Sequence, residues 1–302
     1  MELGLIGLGK MGAPMTQRLL QQKHTVWVYD ADPVKGRELA GLGAQPAKTL
    51  DELVAGLKAP RAVWVMLPAG GVTETMLRSL ASLLEPGDLG VDGGNSHYQD
   101  SIRRAGEWAE RGLHFLDVGT SGGIWGLREG YSLMIGGEIE QVERLRPVFA
   151  ALAPAPDCGW GRVGAHGAGH FAKMVHNGIE YGLMQAYAEG FAILHAKSDL
   201  IEDSARVAGL WRNGSVIRSW LLDLIAAALA ENPAMTGISS AVADSGEGRW
   251  TVAEAIDLNV PAPVITLSLL NRLASRVETR YADQLLAVMR QKFGGHAVDS
   301  ND

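Results

Sequence analysis

Residues 3–12 read Leu-Gly-Leu-Ile-Gly-Leu-Gly-Lys-Met-Gly, and this stretch decides the fold that the sequence predicts. Its first four residues are apolar and predict a short buried strand. The pattern G-x-G-x-x-G follows at Gly7, Gly9 and Gly12, and an amphipathic helix is predicted from there to about Gln22. A glycine turn between a strand and a helix is the start of a dinucleotide-binding β-α-β unit.

The strand that completes this unit is Thr25–Tyr29, and Asp30 follows it 23 positions after the first glycine of the turn. A carboxylate at this place accepts hydrogen bonds from a ribose 2′-hydroxyl and repels a 2′-phosphate. Ala31 offers no cation to a 2′-phosphate, although Lys35 and Arg37 are near in sequence. NAD is therefore favoured over NADP. The alternative role for Asp30 is to cap the turn that follows it.

Strand and helix patterns alternate up to about residue 163. Further strands are predicted at 62–67, 88–91 and 114–118, with candidates at 131–135 and around Cys158, and helices at 72–84, around residue 103 and at 140–152. Glycine-rich loops follow several of these strands, and two of the loops carry Asn95 and Ser121. Because ligands bind at strand ends in open α/β sheets, these loops are candidates for a polar-substrate crevice. Ordinary turn chemistry is the alternative.

Helical periodicity takes over after this point. Helices are predicted at about 167–195, 199–211 and 215–231, followed by one long helix marked by apolar residues from Leu267 to Val288. We therefore expect a Rossmann-like, doubly wound dinucleotide-binding domain at 1–163. An all-helical substrate and oligomerisation domain with a C-terminal tail is expected at 164–302.

The first of these helices carries an unusual set of polar side chains. One of its faces holds a cation, an imidazole, an amide and a carboxylate, at Lys173, His176, Asn177 and Glu180. A solvated surface is the simplest explanation for such a face. However, Gly178, Gly182 and Gly190 lie in the same helix, and each costs about 1 kcal/mol relative to alanine. We therefore expect a close neighbour at these glycines and a buried polar face.

Composition narrows the classes of function. The chain has 302 residues, a net charge of −7 and 47% hydrophobic residues. This is typical of a globular protein and argues against nucleic acid or an acidic membrane surface as partner. Its one cysteine, Cys158, excludes an intramolecular disulfide, argues against a cysteine-based zinc site and is expected to be buried. No signal peptide or membrane span is expected, which favours the cytoplasm.

Several motifs together resemble those of decarboxylating 6-phosphogluconate dehydrogenases, in their short-chain, NAD-preferring form. They cover nearly the whole chain: Gly-Leu-Gly-Lys-Met-Gly (7–12), Asp-Gly-Gly-Asn-Ser-His-Tyr (92–98), Ser-Gly-Gly (121–123), Lys-Met-Val-His-Asn-Gly-Ile-Glu-Tyr-Gly (173–182), Arg-Trp-Thr (249–251) and Arg-x5-His (290–296). The run at 173–182 is specific to this family. The motifs at 7–12 and 121–123 are shared with the wider β-hydroxyacid dehydrogenase superfamily.

The resemblance implies the oxidative decarboxylation of 6-phospho-D-gluconate to D-ribulose 5-phosphate, with no metal. It implies that Lys173 is the general base for the substrate 3-hydroxyl, that Glu180 protonates C1 of the enediol, and that Asn177 belongs to the same catalytic set. The implied sugar-acid contacts are Asn95, Ser121, Gly122, Gly123, His176 and Asn177. The implied phosphate contacts are Tyr181, Arg249, Arg272, Arg290 and His296. The implied cofactor contacts are Gly7, Leu8, Gly9, Lys10, Met11, Gly12, Asp30, Leu67, Pro68, Ala69 and Asn95.

In this family Arg290 and His296 come from the tail of a neighbouring subunit, so a homodimer or homotetramer is implied. The sequence departs from the long-chain members at Arg249, where they have lysine, and in a helical domain of about half their length. It departs from the NADP-dependent members at Asp30-Ala31, where they have Asn-Arg, and at Pro68, where they have lysine. The last two changes also favour NAD.

Two other functions compete with this one. A 3-hydroxyisobutyrate or tartronate-semialdehyde dehydrogenase would share the fold and the lysine, but it would need neither Glu180 nor arginines for a phosphate. A silent NAD-binding regulatory protein predicts the loss of Lys173 or Glu180, and both are present. The decarboxylating enzyme is therefore preferred.

Overall fold

The apolar segments of the first half form a mostly parallel sheet whose last two strands run opposite to the first six. In this computed structural model, which describes residues 1–277, 281–294 and 297–298, the strands are β1 (Glu2–Ile6), β2 (Thr25–Tyr29), β3 (Gln45–Pro46), β4 (Ala62–Val65), β5 (Leu89–Asp92), β6 (His114–Ser121), β7 (Ser132–Gly137) and β8 (Trp160–Gly164). Within the described ranges they make one eight-stranded sheet in the order β3-β2-β1-β4-β5-β6-β7-β8. Neighbouring strands are parallel, except that β7 is antiparallel to β6.

Helices cover this sheet and then continue, in the residues that the structure describes, without further strands. The helices are α1 (Gly12–Gln21), α2 (Pro33–Ala40), α3 (Leu50–Gly56), α4 (Gly71–Leu83), α5 (Tyr98–Ala109), α6 (Gly126–Glu129) after a 3₁₀ turn at Gly123–Trp125, α7 (Ile139–Leu152), α8 (Ala168–Ala196), α9 (Ser204–Trp211), α10 (Trp220–Glu231), α11 (Glu247–Asp257), α12 (Pro263–Ala274) and α13 (Tyr281–Gly294). The predicted Rossmann-like sheet followed by an all-helical region is confirmed. The chain divides into two compact units, Met1–Asn177 and Gly178–Asp302.

Strand β4 shows why helices must lie on both faces of the sheet. All four of its residues are buried, and successive side chains of a strand point to opposite faces. Val63 and Val65 pack into the apolar cluster that contains residues of α3 and α4. Trp64 packs into the opposite cluster, which contains residues of α1 and α7. A strand that is apolar at every position therefore specifies a sheet covered twice.

Some predicted elements differ in the structure. The single helix predicted from Leu267 to Val288 is two helices, because α12 ends at Ala274 and is capped by Ser275. The Ser275 hydroxyl donates to the Arg272 carbonyl at 2.8 Å and accepts from the Val242 amide at 3.0 Å, which recruits a loop where the helix would continue. The short β3 and the helices α2, α3, α6 and α11 were not predicted.

The expectation of close neighbours at the glycines of α8 is confirmed at two of three positions. A Cβ built on Gly178 would lie 2.6 Å from Thr251 Cγ2, and one on Gly182 would lie 3.2 Å from Val264 Cγ1. The expectation is wrong for Gly190, where no described residue comes within 4 Å. Cys158 is exposed rather than buried, because it lies in a surface turn closed by a bridge to Ala155. In the described ranges no helix is long and apolar enough to cross a membrane.

Candidate active site

The turn between β1 and α1 is shaped by its three glycines. Gly7 has a φ of +92°, and a Cβ built on it would lie 2.3 Å from the Met66 carbonyl oxygen. A Cβ on Gly12 would lie 1.9 Å from the Gly7 carbonyl oxygen. Gly9 is different, because no described atom lies within 4 Å of a Cβ built there. The outer glycines are required by packing, whereas Gly9 leaves open space in which a pyrophosphate can approach the backbone.

Asp30 lies beside this turn at the end of β2. Its Oδ2 accepts the Leu8 amide at 2.7 Å, and its Oδ1 accepts the Asp32 amide at 2.9 Å and lies 3.1 Å from Lys35 Nζ. Burial alone would raise the pKa of the Asp30 carboxyl, but the two amides and the Lys35 ammonium together lower that pKa below its ordinary value. Asp30 therefore caps its own turn and also presents an anionic carboxylate, which fits the ribose of NAD. Leu8 is buried, whereas Lys10 is exposed and Met11 is half-buried.

The loops after β4 and β5 lie against each other. The Gly93 amide donates to the Val65 carbonyl at 2.9 Å, and a Cβ on Gly94 would lie 2.2 Å from the Leu67 carbonyl oxygen. Pro68 and Ala69, which follow, are exposed. The predicted cofactor loop at 67–69 and the predicted substrate loop at 92–96 are therefore neighbours at the carboxyl ends of β4 and β5.

Asn95 is held in an unusual backbone conformation. Its φ is +53°, a region that asparagine tolerates better than most residues. Its side-chain amide donates to the Thr120 carbonyl at 3.1 Å, and its Oδ1 accepts the Thr120 amide at 2.9 Å. This pair of bonds fixes Asn95 to the end of β6, next to Ser121, Gly122 and Gly123.

A buried ion network supports the loop that carries Asn95. Arg104 and Asp92 are 3% and 0% exposed, and Arg104 Nη1 lies 2.8 Å from Asp92 Oδ2. Arg104 Nε also lies 2.9 Å from Glu74 Oε2. Arg103 and then Arg104 lower the pKa of Glu74 to about 2. Sequence reasoning missed this network, because its members come from a strand end and two helices and show no local pattern.

The polar face of α8 forms a cluster at Lys173, which is 5% exposed. Lys173 Nζ donates to Asn177 Oδ1 at 2.5 Å and lies 3.2 Å from His176 Nδ1. The other ring nitrogen of His176 lies 3.4 Å from Ser121 Oγ. Four of the predicted site residues are thus brought together.

The start of α8 is fixed by Asp117, a fully buried carboxylate on β6. It accepts the Gly167 amide at 2.6 Å and the His170 amide at 2.9 Å, which satisfies donors at a helix N-terminus. A Cβ built on Gly119 would lie 2.4 Å from Lys173 Cβ. These contacts set where Lys173 lies relative to β6. Sequence reasoning did not assign Asp117 this role, although a carboxylate inside an apolar strand was a usable signal.

The second unit holds two predicted phosphate contacts in direct contact with each other. The Arg272 guanidinium lies over the Tyr181 ring, 3.5 Å from its centroid, and its Nη1 donates to the Ala243 carbonyl at 3.0 Å. The Tyr181 hydroxyl accepts the Ser245 amide at 3.3 Å. Both residues are therefore anchored to the segment 242–246.

Arg249 is held by a carboxylate of the same segment. Its Nε lies 3.1 Å from Asp244 Oδ1, and Arg276 Nη2 lies 2.7 Å from Asp244 Oδ2. Arg249 and then Arg276 lower the pKa of Asp244 to about 2, so Asp244 is an anion at neutral pH. Neither Asp244 nor Arg276 was predicted from the sequence.

The remaining predicted residues lie as follows. Glu180 is half-buried on α8, seven residues beyond Lys173 and so close to the same helix face. Arg290 is exposed on α13. His296 lies outside the described residues. Within the described ranges, no group of three or more His, Cys, Asp or Glu residues could hold a metal ion.

Comparison with known proteins matches both parts of the chain to one family. Residues 2–164 match the NAD-binding domain of 6-phosphogluconate dehydrogenase, and residues 169–302 match the C-terminal domain of 6-phosphogluconate dehydrogenase. The NAD(+)-dependent, decarboxylating 6-phosphogluconate dehydrogenase of Haloferax volcanii is 43% identical over the full length of both chains.

Solved structures show the same relationship. The Plasmodium falciparum 6-phosphogluconate dehydrogenase is 27% identical with a TM-score of 0.83, covering 100% of this chain and 67% of that one. A 3-hydroxyisobutyrate dehydrogenase of Mycobacterium tuberculosis is 24% identical with a TM-score of 0.71, covering 88% of this chain and 90% of that one, and it shows a shared fold only. Since both halves match one family and a full-length relative is this similar, the chain belongs to the 6-phosphogluconate dehydrogenase family.

Proposed function

We propose that this protein catalyses the NAD-dependent oxidative decarboxylation of 6-phospho-D-gluconate to D-ribulose 5-phosphate and carbon dioxide. The observation that carries the proposal is the buried Lys173, whose Nζ is hydrogen-bonded to Asn177 Oδ1 at 2.5 Å. This amine is on the same helix as Glu180. An amine and a carboxyl group are the two proton-transfer groups that this reaction requires.

Lys173 is the general base of the first reaction step and the general acid of the decarboxylation step. It takes the proton of the C3 hydroxyl as C3 is oxidised, and bound NAD would accept the hydride. The resulting 3-keto acid loses carbon dioxide when the bond between C1 and C2 breaks. The electron pair of that bond moves toward the C3 carbonyl oxygen, which Lys173 protonates to give the enediol. Glu180 then protonates the carbon that lost carbon dioxide, which becomes C1 of ribulose 5-phosphate, while the enediol hydroxyl returns its proton to Lys173 and the C2 carbonyl forms.

The remaining polar residues hold the substrate. Asn95, Ser121, Gly122, Gly123 and His176 are assigned, with Asn177, to the sugar acid and its carboxylate. Tyr181, Arg249, Arg272, Arg290 and His296 are assigned to the phosphate. Support comes from the contact of His176 with Ser121 and of Arg272 with Tyr181. A guanidinium suits a phosphate because it donates two parallel hydrogen bonds.

NAD is assigned to the glycine turn and to the loop at 67–69. The open space at Gly9 and the carboxylate of Asp30 support this assignment. Asn95, which lies at the neighbouring strand end, is assigned to both the cofactor and the substrate.

The protein is further assigned a domain boundary near residue 163, a homodimeric or homotetrameric state and a cytoplasmic location. Exposed apolar side chains on the helices of the second unit support an oligomer, among them Leu183, Ile193 and Trp220. Residues of this kind are common at subunit interfaces. Sedimentation velocity of the full chain should give a species larger than 32.2 kDa.

The test of the function is the release of labelled carbon dioxide from 1-¹⁴C-labelled 6-phosphogluconate in the presence of NAD, with one NADH formed per carbon dioxide. Turnover of 3-hydroxyisobutyrate or tartronate semialdehyde in its place, without carbon dioxide, would contradict the proposal and support the non-decarboxylating alternative.

The assigned mechanism makes a prediction at Lys173. Replacing it in Lys173→Met should lower kcat by about 10³-fold, which is within the range that a general acid–base group contributes. The binding of NAD, measured by fluorescence titration, should stay within about twofold of the wild type, because no hydrogen bond to the cofactor is removed. Lys197→Met is the matched control, since Lys197 is exposed and pairs with Asp199. Unchanged turnover of the folded Lys173→Met protein would refute the mechanism.

A further inference from the structure

The segment 242–246 of the second unit gathers three arginines. Arg272 Nη1 donates to the Ala243 carbonyl at 3.0 Å, and Arg276 Nε donates to the Val242 carbonyl at 2.8 Å. These carbonyls are consecutive along the chain, so the two guanidinium groups are anchored to neighbouring residues of one segment. Arg249 reaches the same segment through Asp244. Sequence reasoning and the family motifs account for Arg249 and Arg272 but not for Arg276.

Asp244 forms ion pairs with two of these cations, Arg249 and Arg276, and is more deeply buried than either. Its side chain is 6% exposed, whereas the side chains of Arg249 and Arg276 are 49% and 36% exposed. The carboxylate accepts Nε and Nη2 of Arg249 and Nη2 of Arg276. An anion that approaches from solvent therefore meets guanidinium groups before it meets the carboxylate.

This arrangement leaves donors for a ligand. A guanidinium has five N–H donors, and the hydrogen bonds described above use only Nε and Nη2 of Arg249 and of Arg276. The Nη1 groups of both residues are not used by these bonds. Holding a long side chain in place before a ligand arrives lowers the entropy lost on binding.

We propose that Arg276 is a further contact for the substrate phosphate, and that Asp244 is the positioning residue that holds Arg249 and Arg276 for it. The proposal rests on the proposed function, because it concerns the phosphate of that substrate. It adds two residues to the assigned phosphate contacts: Arg276 as a further cation, and Asp244 as the group that orients Arg249 and Arg276.

The first test is Arg276→Met. We expect the KM for 6-phosphogluconate to rise about tenfold, which corresponds to the loss of one charge-assisted hydrogen bond, while kcat and the KM for NAD stay within about twofold. The inhibition constant of inorganic phosphate, used as a competitor of 6-phosphogluconate, should rise by a similar factor. Arg276→Lys should recover part of the loss, because it retains the charge.

Arg212→Met is the matched control in the same unit. Arg212 is 48% exposed and pairs with Asp223 at 2.6 Å, so this variant also removes an exposed arginine from an ion pair. Its KM should equal that of the wild type. If Arg276→Met and Arg212→Met give the same KM and the same phosphate inhibition, the assignment of Arg276 is wrong.

Asp244→Asn tests the positioning role. We expect a several-fold higher KM for 6-phosphogluconate with little change in kcat, because an amide oxygen cannot hold two guanidinium groups as a carboxylate does. In the double variant with Arg276→Met, the effect of Asp244→Asn should be smaller than in the wild-type background, since residues that act together are not additive. Strict additivity, or a fall in kcat with unchanged KM, would overturn the positioning role.

These outcomes are separate from those that test the proposed function. Absence of carbon dioxide release by the wild-type protein would refute the function itself. Release by the wild type together with an unaffected Arg276→Met variant would refute only the inference about Arg276.

Discussion

Asp30 makes three kinds of contact with a single carboxylate, and each bears on the choice of cofactor. It holds the Leu8 amide of the glycine turn, it caps its own turn at Asp32, and it pairs with Lys35. Lys35 is thus a cation near the expected position of the ribose, and the carboxylate of Asp30 neutralises its charge. Under the proposed assignment of Asp30 to the ribose, its carboxylate, rather than a lack of cations, is what would disfavour a 2′-phosphate here.

This balance predicts the effect of Asp30→Asn. The amide keeps the shape of the side chain and one acceptor oxygen, but it loses the charge that repels a phosphate and neutralises Lys35. We expect kcat/KM for NAD to fall and kcat/KM for NADP to rise, so that their ratio changes about 100-fold, which is close to 2.7 kcal/mol. Initial rates with both cofactors at saturating 6-phosphogluconate measure this ratio.

Asp32→Asn is the control, because Asp32 is exposed and caps α2 by accepting the Val34 amide at 3.0 Å. Its cofactor ratio should match the wild type. In Asp30→Asn combined with Lys35→Met, the gain with NADP should disappear. If that gain persists without Lys35, then Lys35 is not the group that receives the 2′-phosphate.

At the scale of a single element, α8 contains two glycines in opposite environments. A Cβ built on Gly169 would lie 2.4 Å from the carbonyl oxygens of Asp117 and Met134. Those atoms belong to the backbone of β6 and β7, which cannot move aside as a side chain can. Gly190, on the same helix, has no described atom within 4 Å of its Cβ position.

The two alanine variants should therefore change stability in opposite directions. We expect Gly169→Ala to lower the free energy of unfolding by about 3 kcal/mol, as severe overpacking does. Gly190→Ala should raise it by about 0.5–1 kcal/mol, because alanine favours the helix and has room for its methyl group. Urea denaturation followed by circular dichroism measures both. Equal effects would show that helix propensity, not the contact with β6 and β7, decides the cost at Gly169.

The same helix shows what the sequence could predict. Its existence, its approximate ends and its polar face follow from local spacing, and a close neighbour was predicted correctly at Gly178. Gly190 was wrong because the penalty of a glycine is local, whereas the space around it depends on distant residues. The bond from the Val242 amide to the Ser275 hydroxyl likewise depends on a loop more than 30 residues away, so the end of α12 could not be found from periodicity.

Some residues of the candidate site could be predicted from the sequence and others could not. The strand-end residues and the face at Lys173 are readable because fold rules place them. Asp244 and Arg276 are 32 residues apart, and Glu74 and Arg104 are 30 residues apart. Pairs of this kind have no sequence period, and only the folded chain brings them together.

At the scale of the whole molecule, acid acts through two opposing effects. The chain carries a net charge of −7 at pH 7, so modest acidification first reduces the repulsion among its acidic groups. Against this, Glu74 and Asp244 each have a pKa of about 2 in the folded protein, below their ordinary values of 4.5 and 3.8. A carboxyl group with a depressed folded pKa stabilises the protein above its unfolded pKa, and that stability is lost as pH falls toward the folded pKa.

The local ion pairs should dominate between about pH 5 and pH 2, because the unfolded chain takes up protons there that these two carboxylates resist. We expect the unfolding temperature of the wild type to fall steeply across this range.

Glu74→Gln should lower the unfolding temperature at pH 7, because it should lower the free energy of unfolding by about 1–3 kcal/mol. It should also make the decline of the unfolding temperature below pH 5 shallower. Glu107→Gln removes an exposed carboxylate that pairs with Arg103. It should change neither the unfolding temperature at pH 7 nor the decline below pH 5, since exposed pairs contribute little. Calorimetry from pH 7 to pH 3 distinguishes the three proteins. If their unfolding temperatures run parallel over that range, the pairing of Glu74 with Arg103 and Arg104 does not control the acid response, and repulsion among unpaired charges does.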